Sequence, residues 1–228
     1  MYIMKKDHKQ RRSFRLGLRA KILGVSLPVT IIMVIVMIAI AYNVSEADIM
    51  ASSQSLLSTS AKDQSSQIEA WLNRKLDEVK TVKYDLESSG AIKDQKQLQR
   101  KLDDYYGLDS AFVGGFYIAD TKGNVMQASE NQTKYDGATE QIWYKEGLTR
   151  MNPGYTQAYE DSEGNMMISV CGMLDDPDDV RVLATSLSLD SVNIIVNSSV
   201  SMHGAESLLV DQGNGDILTS RDSELVST

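Results

Sequence analysis

From residue 22 to residue 45 no position is charged, and the eleven positions 31–41 are all apolar. As a helix this run is roughly 36 Å long, more than the ~30 Å hydrocarbon core of a bilayer. It predicts a membrane-spanning helix over 22–44, with Pro28 in its first turn or two, where a missing N–H costs least. Beyond Glu46 the pattern turns amphipathic. Ile68, Leu72, Leu76, Val79, Val82 and Leu86 recur with a mean spacing of 3.6 and no Pro or Gly interrupts 45–88, which predicts one long helix continuing outward. Ile49, Leu56 and Leu57 extend a thinner stripe toward its start. Leu98, Leu102, Tyr105 and Tyr106 place a shorter amphipathic helix over 94–106.

After Gly107 the period shortens. Strands are predicted over 111–119 and 125–128 around the turn 120–124, near 155–159, over 166–173 after the turn 161–165, and over 180–187 after the acidic turn 175–179. Thr139 reads as the cap of a helix reaching Arg150 and closed by Asn152, Pro153 and Gly154; Asp190 reads as the cap of another over 191–202. A last hairpin, 207–210 with 216–220, surrounds the turn 211–215.

Charge gives the membrane segment a direction. The chain has a net charge of −8, yet residues 1–21 hold eight Lys/Arg against Asp7 alone. By the positive-inside rule the tail is cytoplasmic and everything after about 45 is external. The run is too long, and the tail before it too basic, for a cleaved signal peptide. A strongly acidic external part argues against nucleic acid. One cysteine, Cys171, excludes an internal disulfide framework and a multi-cysteine metal site; Cys171 reads as a small buried hydrophobe. With only His8 and His203, a Ser-His-Asp or Cys-His centre has little to be built from, and none of the acidic turns has the ligand spacing of a calcium loop. No catalytic residue, cofactor or metal is expected.

Two segments look alike: FYIADTKGNVM, 116–126, and SLLVDQGNGDIL, 207–218, each an apolar strand, an Asp, a Gly-containing turn and an apolar return. Their 91-residue offset suggests a repeated α/β module whose second copy stops after one hairpin. With the basic tail, the span, the long helix, Trp143-Tyr144 at a helix start, Tyr159-Glu160-Asp161 and LATSLSLDSVNIIV at 183–196, the chain resembles the double Cache sensor region of bacterial methyl-accepting chemotaxis proteins. The resemblance implies an α+β fold in which a PAS-like Cache module is built on a central antiparallel sheet. It divides the chain into a basic tail 1–21, a transmembrane helix 22–44, sensor helices 45–106, a membrane-distal module 107–203 and the start of a truncated membrane-proximal module 204–228.

The resemblance also implies a ligand site. Amino-acid-binding members carry an Arg two residues before Trp-Tyr, then Tyr-x-Asp, then an Asp two residues before a Ser-Leu-Asp strand end. Trp143, Tyr144, Tyr159 and Asp161 match, while Gln141 stands at the Arg position and Ser186 at the last Asp position. Without the resemblance Trp143 and Tyr144 read as core residues, and Asp161 reads equally as a turn residue and as a ligand contact. A neutral amide cannot replace a bidentate guanidinium. The expected ligand is therefore an amine or a neutral polar molecule in preference to a free amino acid. The implied function is ligand sensing by a homodimeric receptor in the plasma membrane, non-enzymatic, with one span in this chain and cytoplasmic signalling partners beyond it. A histidine kinase or nucleotide cyclase is the alternative output, and an exported membrane-anchored enzyme the more distant one.

Overall fold

The computed structural model describes residues 18–135, 137–161, 164–198, 207–210 and 217–220. Most of the basic tail, the end of the helix expected over 191–202, the turn at 211–215, His8 and His203 lie outside the described residues. The chain divides into two units, Met1–Leu57 and Ser58–Thr228. Helix α1, Leu18–Ser88, contributes to both.

Over 22–44 α1 is apolar nearly all round, and residues 21–52 are all exposed. A helix apolar all round needs an apolar surrounding. This one is long and apolar enough to cross a membrane. Pro28 is not in its first turns, because the helix already begins at Leu18. Proline there removes the donor for the Gly24 carbonyl. Just beyond it the Thr30 hydroxyl donates to the carbonyls of Leu27, at 2.9 Å, and Ser26, at 3.1 Å.

The second unit is built on a six-stranded antiparallel sheet. Its strands are β1 Phe112–Asp120, β2 Val125–Gln127, β3 Gly154–Tyr155, β4 Tyr159–Glu160, β5 Met166–Met173 and β6 Arg181–Ser188. They run in the order β2-β1-β6-β5-β3, with β4 also on β5. The two-residue side-chain period sends alternate residues to opposite faces. Phe116, Ile118, Val170, Leu183 and Leu187 face one core with Val79, Val82 and Leu86 of α1 and with Leu98 and Leu102 of α2, Gln95–Tyr105. Asp94 caps α2, its carboxylate accepting from the N–H groups of Lys96 and Gln97. Tyr117, Ala119, Cys171, Val182 and Ala184 face the other way, onto Trp143 and Tyr144 of α3, Ile142–Gly147. The mixed helix and antiparallel sheet is the expected fold class.

The long-helix stripe is covered by its own domain. Val79 and Leu86 are fully buried in the first core, and Ile68 packs with Leu189, Val192 and Val196 around α4, Asp190–Ser198. The stripe 68–86 therefore does not itself call for a second copy. Two expected elements are broken. The helix over 139–150 is a single three-residue 3-10 turn at Ala138–Glu140 followed by the short α3, because Gly137 enters with φ 62° and Gln141 is extended at ψ 148°. The strand over 155–159 is two bridges, β3 and β4, separated at Thr156, whose N–H donates to the Ser169 carbonyl while its Oγ1 accepts the Ser169 N–H. The last hairpin forms as β7, Leu208–Val210, with β8, Ile217–Ser220.

The two hairpin turns share one mechanism. Asp120 Oδ1 accepts the N–H groups of Lys122 and Asn124, and Asp161 Oδ1 accepts that of Asn165. Gly123 and Gly164 supply the positive φ, 81° and 86°, that closes each turn.

Helix α3 sits tightly on the sheet because Gly147 has no side chain. A Cβ there would lie well within the van der Waals contact distance of Val182 Cγ1 and 3.4 Å from Cys171 Cβ. Gly147→Ala is expected to destabilise the protein by about 1–3 kcal/mol through overpacking, measured as a lowered midpoint of urea unfolding.

Candidate functional site

The sheet face opposite α1 and α2 gathers hydroxyls and rings. The site begins with two consecutive glycines in β1, Gly114 and Gly115, at φ 75° and 69°, where the β1–β6 register shifts between Val113 and Phe116. A bulge of this kind bends its strand and re-aims the following side chain. Two side chains hold it: Thr185 Oγ1 donates to the Gly115 carbonyl at 2.8 Å, and Asn131 Nδ2 to the Gly114 carbonyl at 2.7 Å. Asn131 brings with it the segment bearing Tyr135, whose hydroxyl would lie 3.3 Å from a Cβ at Gly114.

Beyond the bulge Tyr117 is completely buried, and its hydroxyl meets Ser186 Oγ at 2.8 Å. Ser186 is paired in register with Ser169 across β5 and β6, so their side chains share a face, 3.1 Å apart. Tyr159 joins from β4, 2.7 Å from Ser169 Oγ and 3.2 Å from Ser186 Oγ. These four hydroxyls form four hydrogen bonds and own four protons between them. With one proton in each of the four contacts, what the knot has left to offer is oxygen lone pairs.

A ring cluster adjoins the knot. Tyr117 stacks at 4.4 Å on Tyr135 and meets Trp143 edge-on at 4.9 Å, and Trp143 meets Tyr144 edge-on at 5.9 Å. Burial raises the Tyr117 hydroxyl well above its ordinary range and pushes Tyr135 up to about 12, so both stay protonated and neutral. Cys171, on the same face, is likewise pushed up to about 12 by burial and is a thiol, not a thiolate. Among the described residues no three His, Cys, Asp or Glu side chains converge on a place for a metal ion. The arrangement can hold a donor-rich or cationic group against lone pairs and ring faces.

Of the residues singled out in the sequence, Trp143, Tyr159 and Ser186 converge on this cluster. Tyr144 is buried beside Trp143, but burial first and then the charges of Asp120 and Asp179 raise its hydroxyl, which places that hydroxyl toward the far end of β1. Gln141 is exposed at the entry of α3. Asp161 is half-buried, and its carboxylate accepts from Asn165 within its own turn. Tyr117, Tyr135 and Ser169 were not anticipated. Their signals were the glycine pair inside a strand, which marks a bulge, and the alternation that puts Tyr117 opposite Phe116 and Ile118.

No family model matches the chain, and no curated protein matches it. Solved structures do. The ligand-binding domain of the Pseudomonas fluorescens chemoreceptor CtaA in complex with L-isoleucine is 20% identical with a TM-score of 0.58, over 73% of this chain and 68% of that one. That of the Pseudomonas aeruginosa amino-acid chemoreceptor PctC in complex with GABA is 22% identical with a TM-score of 0.58, over 72% and 74%. That of the Campylobacter jejuni chemoreceptor Tlp3 in complex with 4-methylisoleucine is 17% identical with a TM-score of 0.56, over 73% and 68%. The fold is thus that of chemoreceptor ligand-binding domains, as the resemblance implied, and the proteins it matches are sensors rather than enzymes. Their ligands overturn one expectation, the preference for an amine or neutral molecule over a free amino acid. That expectation counted charges at two positions, Gln141 and Ser186. It did not count the hydroxyl knot that Ser186 enters.

Ser186 has three hydroxyl partners and Tyr117 has one in the knot. Tyr117→Phe is therefore expected to cost about 0.5–1.5 kcal/mol, one net hydrogen bond, and Ser186→Ala more than that. Urea unfolding of the two variants checks the order.

Proposed function

We propose that the chain is the ligand-sensing part of a transmembrane chemoreceptor, and that its ligand is a small molecule of the amino-acid class. The observation that carries this reading is the meeting of the hydroxyl knot with Tyr117, Tyr135 and Trp143 on one sheet face. An ammonium is a donor in three directions and a cation; lone pairs and ring faces are what it needs. Asp161 follows Tyr159 by two residues, while Gln141 and Tyr144 stand farther from the knot and are read as secondary to Trp143, Tyr159 and Ser186. The likeness of the fold to domains solved with amino acids and GABA points to the same chemistry.

The membrane segment and the stripe 68–86 belong to one helix, α1. A ligand that draws the sheet face together shifts the packing of Val79, Val82 and Leu86, and α1 carries that shift toward the membrane. It does so only to the extent that the ligand binds the two states unequally. The basic tail then lies in the cytoplasm, with the signalling partners. The exposed pairs Ile49/Leu56 and Met50/Leu57, each seven residues apart, support pairing with a second copy of α1 outside the membrane. The hairpin β7–β8 is read as the opening of a second Cache module.

The test is a thermal-shift and calorimetric screen of the common amino acids and GABA on the full chain in lipid nanodiscs. At least one is expected to bind saturably, stabilising the protein by about 2.7 kcal/mol at a hundredfold excess over its Kd. Trp143→Ala is expected to abolish that binding while the protein remains folded by circular dichroism. Silence across the screen, or unchanged binding in the folded Trp143→Ala variant, would sink the proposal.

A further inference from the structure

The opposite side of the sheet carries a cavity. It measures about 790 Å³ and lies between α1, the end of α2 and the start of β1. That is within the ~300–1,000 Å³ of small-molecule sites. Its floor is aromatic: Phe116 is packed edge-on against Tyr105, centroids 5.9 Å apart, and tilted on Phe112 at 5.1 Å. The Tyr105 hydroxyl is already committed to Asp85, at 2.7 Å, so its ring and not its polar tip faces the space. At the mouth stands Leu108, an aliphatic side chain 74% exposed.

The charges around this floor are unevenly matched. Three acids line the cavity, and two lysines pair with them. Asp77 is paired with Lys80 at 2.9 Å, and Glu78 and Asp109 share Lys75, which is itself nearly buried and lies 5.3 Å from the Phe112 ring centroid. Arg74 lines the same cavity one turn before Asp77 and Glu78. Its guanidinium has neither an ion pair nor a hydrogen bond among the described residues. A guanidinium without a bonded partner beside an aromatic floor, where each neighbouring carboxylate already stands in an ion pair, is complementary to an anion with an apolar body. A cationic ligand would find each carboxylate already occupied. A second copy of the chain would have to desolvate Arg74, Asp77 and Thr81 on the α1 wall for a small apolar gain.

We infer that this cavity is a second ligand site, which takes a small aromatic carboxylic acid, its ring over Phe112 and Leu108 and its carboxylate on Arg74. The site is independent of the amino-acid site, since it lies on the other face of the sheet. Because its walls are α1 and β1, an occupant there bears on the helix that leads to the membrane.

The experiment is fluorine NMR of para-fluorophenylacetate with the full chain in nanodiscs. Saturable line broadening is expected. Arg74→Gln should weaken binding ten- to a hundredfold, the loss of one charged hydrogen-bonded pair. Leu108→Asp, at an exposed position that leaves the fold intact, should weaken it as well, and the neutral para-fluorophenylacetamide should bind at least tenfold less tightly. Trp143→Ala should leave it unchanged, which separates this site from the amino-acid site. Absence of saturable binding, equal binding in Arg74→Gln, or loss in Trp143→Ala would overturn the inference. So would self-crosslinking of an Asn73→Cys variant that para-fluorophenylacetate does not suppress, because the groove would then be covered by a second copy.

Discussion

The strands β1 and β6 lie in the middle of the sheet and are covered on both faces, and the rest of the structure follows from that constraint. Each residue turned toward α1 and α2 obliges its neighbour to turn toward α3. Phe116, Ile118, Leu183 and Leu187 therefore hold the long helix, while Tyr117, Val182, Ala184 and Ser186 build the site. A one-residue slip of either strand would exchange its two faces, so the register that builds one face also fixes the other. The face proposed to hold the ligand and the face that holds the helix are thus two sides of the same two strands.

Polarity is distributed unequally between these faces. On the helix side charges are paired near the rim: Lys101 and Tyr105 both donate to Asp85, and these hydrogen bonds lower its carboxyl below the usual range. Burial first, then Asp85, raises Tyr105 to about 12. On the site side the buried polar groups are neutral hydroxyls that satisfy one another. A neutral knot avoids the cost of buried charge while keeping acceptors in reserve. The bulge at Gly114 and Gly115 makes this possible, because it brings Asn131 and Tyr135 close to β1 where a Cβ would intrude.

Much of the fold was legible in the sequence because it rests on periodicity. The stripe 68–86, the alternation in β1, β5 and β6 and the Asp-led turns at 120 and 161 are local patterns with local causes. What was not legible depended on contacts distant in sequence. Thr139 looked like a helix cap, but Gln141 holds that position because Gly137 starts a separate turn. Thr156 splits a strand by offering its hydroxyl to Ser169, 13 residues away. The site was half visible: Trp143 and Tyr159 stood in a recognisable spacing, whereas Tyr117, Tyr135 and Ser169 look like ordinary strand and loop residues until the sheet register brings them together. Ser186 was read as a lost charge, and the structure shows it as the centre of the knot.

The chain has two tryptophans, Trp71 and Trp143. In a Trp71→Phe variant the single remaining indole stands in the ring cluster, so its emission reports directly on whether a ligand enters there. Titration with an amino acid that binds the protein by calorimetry is predicted to change the Trp143 emission with the same Kd. An amino acid that binds without altering that emission would place the ligand elsewhere and contradict the account.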